Sequence, residues 1–223
     1  MLPHFLGPLT TVMTGPARAL LDGAEAGGGV AAGQSVVPNV SMIGQQLSNW
    51  CWSAVTQTVQ GWAHNALDQA DIATDHITHN GRAASCSPPD PDSMNNGDCA
   101  AADACQALCN DPHILSVVLG ENGRLAGFIT QAARPTFQQL VDELNAQRPA
   151  PCRVQWSTGG GHFIVVFGWT VDATGAQLVH VLDPERADPG QPVPEKIMPF
   201  DDFVSAYDLS GVTGEINYSY RVQ

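Results

Sequence analysis

The chain has 223 residues, a net charge of −13 and only nine lysines and arginines. Such an acidic protein repels phosphate backbones and anionic lipid surfaces, so we expect neither nucleic acid nor membranes as partners. No apolar run approaches the roughly 18 residues of a transmembrane helix, and the chain is long enough for one large domain or for two lobes that share an interface.

Residues 1–36 are expected to form a flexible leader or linker ahead of a folded domain at 37–223. The segment 23–33 is rich in glycine and too poor in apolar side chains to pack. The first 20 residues lack a secretory signal, because no basic segment opens them and Pro3 and Pro8 interrupt the apolar run. The sequence leaves open whether residues 1–36 are a propeptide.

The first chemical motif lies between Gln45 and Val55, where Trp50 and Trp52 flank Cys51. Apolar residues at helical spacing predict a helix over 53–62, so that Cys51 lies at a helix N-terminus. Unpaired N–H groups and the macrodipole there stabilise a thiolate, which is the nucleophilic form of cysteine. We predict Cys51 as a nucleophile and Gln45 as a donor to the oxyanion that forms on a carbonyl. A buried structural cysteine is the alternative.

Four cysteines lie in the polar segment 86–109, namely Cys86, Cys99, Cys105 and Cys109. Such a loop cannot bury a core, so we predict two disulfides, with the pairing open among three connectivities. Disulfides imply secretion or export to an oxidising compartment. A four-cysteine zinc site is the alternative, although only Cys105 and Cys109 have the spacing of a zinc hook. We expect no metal and no other cofactor.

Several elements outside the motifs follow from periodicity and turn residues. They are a short helix or turn at 112–120, a helix at 136–145 capped by Thr136, a strand at 152–156 with a buried Cys152, a helix at 200–207 and a closing strand at 215–222.

The second chemical motif begins with three glycines at 159–161, followed by His162 and an apolar strand-like run. A further strand at 178–182 ends at Asp183, because Pro184 stops it. Two antiparallel strands joined by a turn at 172–176 would place Asp183 beside His162. We therefore predict His162 as the general base and Asp183 as the carboxylate that orients it. His180 is the competing base, but it lies inside a strand, which favours a structural role.

These two motifs resemble the papain-like cysteine peptidases. Gln45 precedes Cys51 by six residues, His162 follows two glycines, and Asp183 closes a later strand, an order similar to the bacterial secreted and effector branch with a Cys-His-Asp triad. The chain departs from the plant and lysosomal branch, which has Cys-Gly-x-Cys-Trp at the nucleophile. The resemblance covers roughly residues 37–220. It implies an α+β papain-like fold, in which a helical lobe headed by Cys51 packs on an antiparallel sheet lobe.

The resemblance also implies a function, the hydrolysis of peptide bonds through a thioester on Cys51, with a protein or peptide as substrate. Gln45 and the backbone N–H of Cys51 would hold the oxyanion. Glutamine deamidation and transglutamination pass through the same thioester and stay open as alternatives. A non-catalytic secreted binding module, in which Cys51 is structural, is the third possibility. Cleavage specificity and oligomeric state leave no signal in the sequence.

Overall fold

The structure is a computed structural model that describes residues 32–81, 86 and 109–223. Within these ranges the helices are α1 (Cys51–Trp62), α2 (Gln69–His79), α3 (Leu115–Glu121), α4 (Phe137–Asn145) and α5 (Phe200–Ser205). The strands are β1 (Gly33–Val36), β2 (Leu125–Gln131), β3 (Ala150–Trp156), β4 (Gly161–Val171), β5 (Gln177–Leu182), β6 (Lys196–Pro199), β7 (Tyr207–Leu209) and β8 (Val212–Val222). No helix in these ranges has the length and apolarity needed to cross a bilayer. The predictions for residues 1–31, Cys99 and Cys105 lie outside the described residues.

The described strands form one curled antiparallel sheet. Its path runs β2-β8-β3-β4-β5-β6, while β1 pairs with β4 and β7 pairs with β8. The last strand of the chain, β8, thus lies between β2 and β3. The sheet is complete only when the C-terminal segment is in place.

Strand β4 separates two cores. Phe163, Val165 and Phe167 point into the core that contains residues of α1, α2 and α3. Ile164 and Val166 point into the other core, with residues of α4 and α5. Alternating side chains of a strand face opposite sides of its sheet, so a strand covered on both sides is apolar throughout. This arrangement confirms the predicted α+β papain-like fold, with a helical lobe on an antiparallel sheet.

The helix predicted next to Cys51 and the helix predicted after Thr136 both form where expected. Helix α1 begins at Cys51, and the flanking Trp50 and Trp52 are fully buried. Helix α4 begins after Thr136, which forms a capping box with Gln139. Each partner of the box satisfies an N–H group that the first turn leaves unpaired.

The folded part of the chain begins earlier than predicted. Strand β1 pairs in register with Gly168–Val171 of β4, so Gly33–Val36 belong to the sheet although they fall in the predicted leader. The boundary after residue 36 is therefore too late. Glycine-rich composition concealed this strand, because ladder hydrogen bonds use backbone groups and need no apolar side chain.

The helix predicted at 200–207 ends at Ser205. Ala206 leaves the helical conformation with φ −147° and ψ 37°, and Tyr207 opens strand β7 opposite Gly214 of β8. Tyr207 therefore belongs to the sheet and not to the predicted helix, and it lies beside the residues predicted to form the active site.

Cys86 and Cys109 form a disulfide with 5.7 Å between their Cα atoms. Among the described cysteines, Cys51 and Cys152 are free thiols, as predicted. Zinc binds thiolates, so the bonded pair argues against the alternative four-cysteine zinc site. The sequence left the pairing open. With Cys86 bonded to Cys109, the second predicted disulfide would join Cys99 and Cys105, and it stays a prediction.

Candidate active site

Three elements converge on one buried cluster of reactive side chains. Cys51 is the first residue of α1, His162 is the second residue of β4, and Asp183 directly follows β5. Their exposed fractions are 8%, 4% and 0%, respectively. The structure thus brings together the three residues that the sequence predicted as nucleophile, base and orienting carboxylate.

The His162 ring interacts with Asp183 and with Cys51. Its Nε2 lies 2.7 Å from Oδ1 of Asp183. The Cys51 side chain is close enough to the ring to raise the pKa of His162. Because Nε2 is engaged by the carboxylate, Nδ1 is the nitrogen left to face the thiol. Val165 pairs with Leu182, which places the next residue, Asp183, within reach of the imidazole.

The electrostatics of this cluster favour a protonated imidazole. Burial by itself would lower the pKa of His162, but the hydrogen bonds and charges of Asp183 and Cys51 raise it to about 10. Burial would conversely raise the pKa of Asp183, but bonds from His162, Tyr207 and the Glu185 backbone hold it below its usual value. Both groups are therefore charged at neutral pH, and opposite charges stabilise each other.

Two aromatic residues that sequence reasoning did not assign to the site surround it. The ring of Trp156 stacks on His162 with centroids 5.9 Å apart and planes 19° apart. Tyr207 donates a hydrogen bond of 2.6 Å to Oδ2 of Asp183. The sequence contained a signal for Trp156, because this residue ends the predicted strand 152–156. In the structure Val154 of that strand pairs with His162. The sequence contained no such signal for Tyr207, which is 24 residues from Asp183.

Gln45 lies on the loop before α1, as predicted, and is buried. Its backbone N–H donates to the carbonyl of Pro184 at 3.0 Å, directly after Asp183. Its Nε2 donates to the carbonyl of Ser48 at 2.7 Å. An amide NH₂ group has two donors, so one remains for a substrate oxygen. The oxyanion role of Gln45 stays a prediction.

The Gln45 loop is fixed by a second segment that runs beside it. Gly44 N–H donates to the Gln191 carbonyl at 2.8 Å, and Val193 N–H donates to the Met42 carbonyl at 2.9 Å. A Cβ at Gly44 would lie 2.6 Å from the Asp188 carbonyl oxygen. Glycine is therefore required for this close approach of two backbones, which ties the loop before Cys51 to the loop that follows Asp183.

The disulfide supports the loop that precedes Cys51 through the residues that follow Cys109. Carbonyl groups of residues 109–111 accept three hydrogen bonds from side chains around Cys51: Trp50 to Cys109 at 2.7 Å, Asn49 to Asn110 at 2.7 Å and Trp52 to Asp111 at 3.1 Å. The bonded partner, Cys86, is itself held against α2 by a hydrogen bond from its N–H to Thr74 at 2.9 Å. The cross-link therefore anchors the segment against which the start of α1 is fixed.

We expect the double variant Cys86→Ser/Cys109→Ser to lose both stability and activity. A cross-link closing a loop of this length contributes about 3 kcal/mol, which corresponds to a fall of about 10 °C in Tm for a chain of this size. Loss of the cross-link should displace the loop that precedes Cys51, so we expect peptide cleavage to fall by about tenfold. A displacement of about 1 Å near reacting groups can reduce the rate of a reaction by more than tenfold.

Thermal unfolding and cleavage rates measure both effects, with Cys152→Ser as the control that removes a free thiol. Unchanged Tm and rate in the double variant would contradict the anchoring role. Thiol titration of the denatured, unreduced wild type adds a check: two thiols fit both predicted disulfides, four fit Cys86–Cys109 alone, and six fit neither.

A groove is lined in part by Gly160 and Gly161, the two residues that precede His162 in the chain. Its volume is about 700 Å³. Its walls combine sheet residues with two residues of the helical lobe: Phe128, Phe163, Tyr218, Tyr220, His113 and Ile114. Arg153 also lies in the groove and donates to Gln155 and Asn217. Aromatic walls of this kind bind apolar side chains of a ligand.

The competing base, His180, is occupied elsewhere. Its Nδ1 lies 2.5 Å from a carboxylate oxygen of Glu195, and its Nε2 lies 2.8 Å from the hydroxyl of Thr170. Both ring nitrogens are thus used within the sheet, and no cysteine of the described residues contacts them. The contacts agree with the structural role predicted for His180.

Residues 32–207 match the family model described as papain-like cysteine protease AvrRpt2. The chain belongs to this family. Its members are bacterial effectors and cysteine proteases, so this papain-like cysteine protease is a hydrolase, of which protein substrates are expected. Membership also implies export, as expected of an effector. Cys51, His162 and Asp183 all lie within the matched residues. No curated protein sequence matches this chain.

Proposed function

We propose that the protein cleaves peptide bonds through a thioester on Cys51, with His162 and Asp183 completing a triad. The observation that carries the proposal is the buried cluster of Cys51, His162 and Asp183, in which His162 is hydrogen-bonded to Asp183 and interacts with the Cys51 side chain. A protonated imidazole and a helix N-terminus both stabilise the thiolate of a neighbouring cysteine, which is its nucleophilic form. We assign residues from about Gly33 onward to the catalytic domain.

Before the reaction begins, the Cys51 proton has passed to Nδ1 of His162, which leaves a thiolate beside an imidazolium. The thiolate attacks the peptide carbonyl carbon, and the oxygen takes up negative charge beside the Gln45 amide and the Cys51 backbone N–H. The C–N bond then breaks while His162 gives its proton to the leaving amine. Water, deprotonated by His162, attacks the thioester and releases the new carboxylic acid, which regenerates the thiolate and the imidazolium.

Asp183 acts throughout as the group that orients the base. A carboxylate on Nε2 keeps the proton on that nitrogen, so Nδ1 is free to exchange protons with sulfur. The same negative charge stabilises the imidazolium that forms when the thiolate does. The stacked ring of Trp156 covers one face of the imidazole and limits access of water to the bond between His162 and Asp183.

The substrate that fits this site is an extended polypeptide. The groove beside Gly160 and Gly161 would take a large apolar side chain close to the scissile bond, because aromatic rings form much of its wall. At Gly160 the space that a Cβ would occupy is open, so the substrate backbone can approach this residue closely, whereas at Gly161 the Arg153 guanidinium fills that space.

Incubation of a peptide library with the full chain, disulfides intact, tests the proposal. We expect new N- and C-termini by mass spectrometry in the wild type, an enrichment of apolar residues near the cut, and no products with Cys51→Ala. Glutamines converted to glutamates in uncut peptides would instead establish deamidation. Identical products from wild type and Cys51→Ala would remove the thiol from the reaction.

A further inference from the structure

The carboxylate of Asp183 is completely buried, and its two oxygens have different partners. Oδ1 lies 2.7 Å from Nε2 of His162 and accepts from the Glu185 backbone N–H at 3.0 Å. Oδ2 accepts from the Tyr207 hydroxyl at 2.6 Å, while the Arg186 Nε is more distant at 3.4 Å. The phenol is therefore the close partner of the oxygen that does not face the base.

Tyr207 is itself held on several sides. It is fully buried in β7, opposite Gly214 of the neighbouring strand. The Phe203 ring meets it edge-on with centroids 6.3 Å apart, and the Lys196 ammonium lies 4.9 Å from the ring centroid. Burial and the charge of Asp183 raise the pKa of the phenol, so its hydroxyl stays protonated and can only donate to the carboxylate.

We propose that Tyr207 is a positioning residue for peptide cleavage, whose hydroxyl fixes the Asp183 carboxylate so that Oδ1 faces His162. The inference rests on the proposed triad and extends it by one residue. A carboxylate at the end of a strand can rotate about its side-chain bonds, and a short bond to one oxygen fixes where the other points. Without the phenol, Oδ2 would be a buried charged oxygen without a close donor, which is costly.

The bond also has an electrostatic consequence that can be measured. It contributes to holding the pKa of Asp183 low, so its removal should let the carboxylate take up a proton at higher pH. Tyr207→Phe changes none of the other titratable or charged groups near the carboxylate: His162 on β4, Glu185 and Arg186 on the following loop, and Lys196 on β6, which interacts in turn with Asp208 on β7. A change in the acidic part of the pH profile of kcat is thus attributable to the phenol.

The test is Tyr207→Phe, assayed on a peptide that the wild type cleaves. We expect kcat to fall by about tenfold, the loss that one bond to a charged group accounts for, with KM unchanged. The acid limb of the kcat profile should move to higher pH. Thr58→Val is the matched control, because it removes a buried hydroxyl that donates to the Ala54 carbonyl at 2.9 Å on α1. That control should lose stability without moving the acid limb.

A double-mutant cycle with Asp183→Ala decides whether the phenol acts through the carboxylate. If it does, Tyr207→Phe causes no further loss in that background, because coupled residues are not additive. Equal loss in both backgrounds, or a single variant with wild-type kcat and pH profile, would overturn the inference. A wild type that cleaves no peptide would instead overturn the proposed function. Circular dichroism confirms that each variant is folded.

Discussion

Replacement of Cys51 by alanine should reduce peptide cleavage to background while the protein stays folded. Loss of a nucleophile that acts with a base costs roughly 10⁶-fold in turnover, because no other group can form the covalent intermediate. The substitution removes one sulfur from the start of α1 and leaves its neighbours, Trp50 and Trp52, buried as before. Steady-state hydrolysis of one peptide and circular dichroism measure the two parts of the prediction.

Cys152→Ala is the matched control for this variant. Cys152 is the other free thiol of the described residues, fully buried in β3, where its sulfur contacts the Ala150 carbonyl and the Ser219 hydroxyl. Burial raises the pKa of this thiol to about 12, so it stays protonated and unreactive. We expect the control to cleave peptides at the wild-type rate.

Iodoacetamide provides an independent readout of the same assignment. At neutral pH it should label one thiol of the native wild type, and the label should disappear in Cys51→Ala. A native label on Cys152, or wild-type cleavage by Cys51→Ala, would make Cys51 structural and return the protein to the non-catalytic alternative.

Substitutions at Asp183 should have graded effects on the same reaction. Removal of the carboxylate in Asp183→Ala leaves Nε2 of His162 without its acceptor and withdraws the charge that stabilises the imidazolium, so cleavage should fall far below the wild-type rate. Asp183→Asn should retain more activity than Asp183→Ala, because an amide oxygen can still accept from Nε2. We expect a smaller loss than the roughly 10⁴-fold seen for the corresponding amide in a serine protease, since here the thiolate is already formed. His162→Ala should fall to background.

Loss of the Asp183 carboxylate should shift the pH profile of peptide cleavage in one direction. Asp183 contributes to raising the pKa of His162, so its loss should lower the pH at which the imidazolium gives up its proton. The alkaline limb of the cleavage profile should therefore move toward neutral pH in Asp183→Ala. An unchanged alkaline limb would mean that Asp183 does not act on the base.

Glu195→Gln offers a matched control for this series. It makes the same change from carboxylate to amide at a second pair of histidine and carboxylate, in which the exposed Glu195 contacts the buried His180. Because neither residue of that pair belongs to the proposed triad, we expect wild-type cleavage. Wild-type rates for Asp183→Ala would remove Asp183 from the site, and an active His162→Ala would return the role of base to His180.

The residues of the proposed triad could be predicted from the sequence because each lies at the end of a locally determined element. Helical periodicity predicts a helix that starts beside Cys51, an apolar run predicts the strand that begins near His162, and Pro184 predicts where the next strand ends. Thr136 could be named as a cap for the same reason, since its signal lies within one helical turn. Rules of this kind depend on a few neighbouring residues, which the sequence displays directly.

The tertiary structure alone decided which distant segments meet. Tyr207 reaches Asp183 because β7 pairs with β8, and the anchoring of Cys109 depends on which cysteine it bonds. Strand β1 was missed because its pairing with β4 uses backbone groups, which no side-chain pattern marks. Sheet order and register arise from the packing of the whole chain, so contacts between segments far apart in sequence leave no local pattern. The sequence by itself determined the candidates for nucleophile, base and orienting carboxylate, while the fold determined which residues surround them.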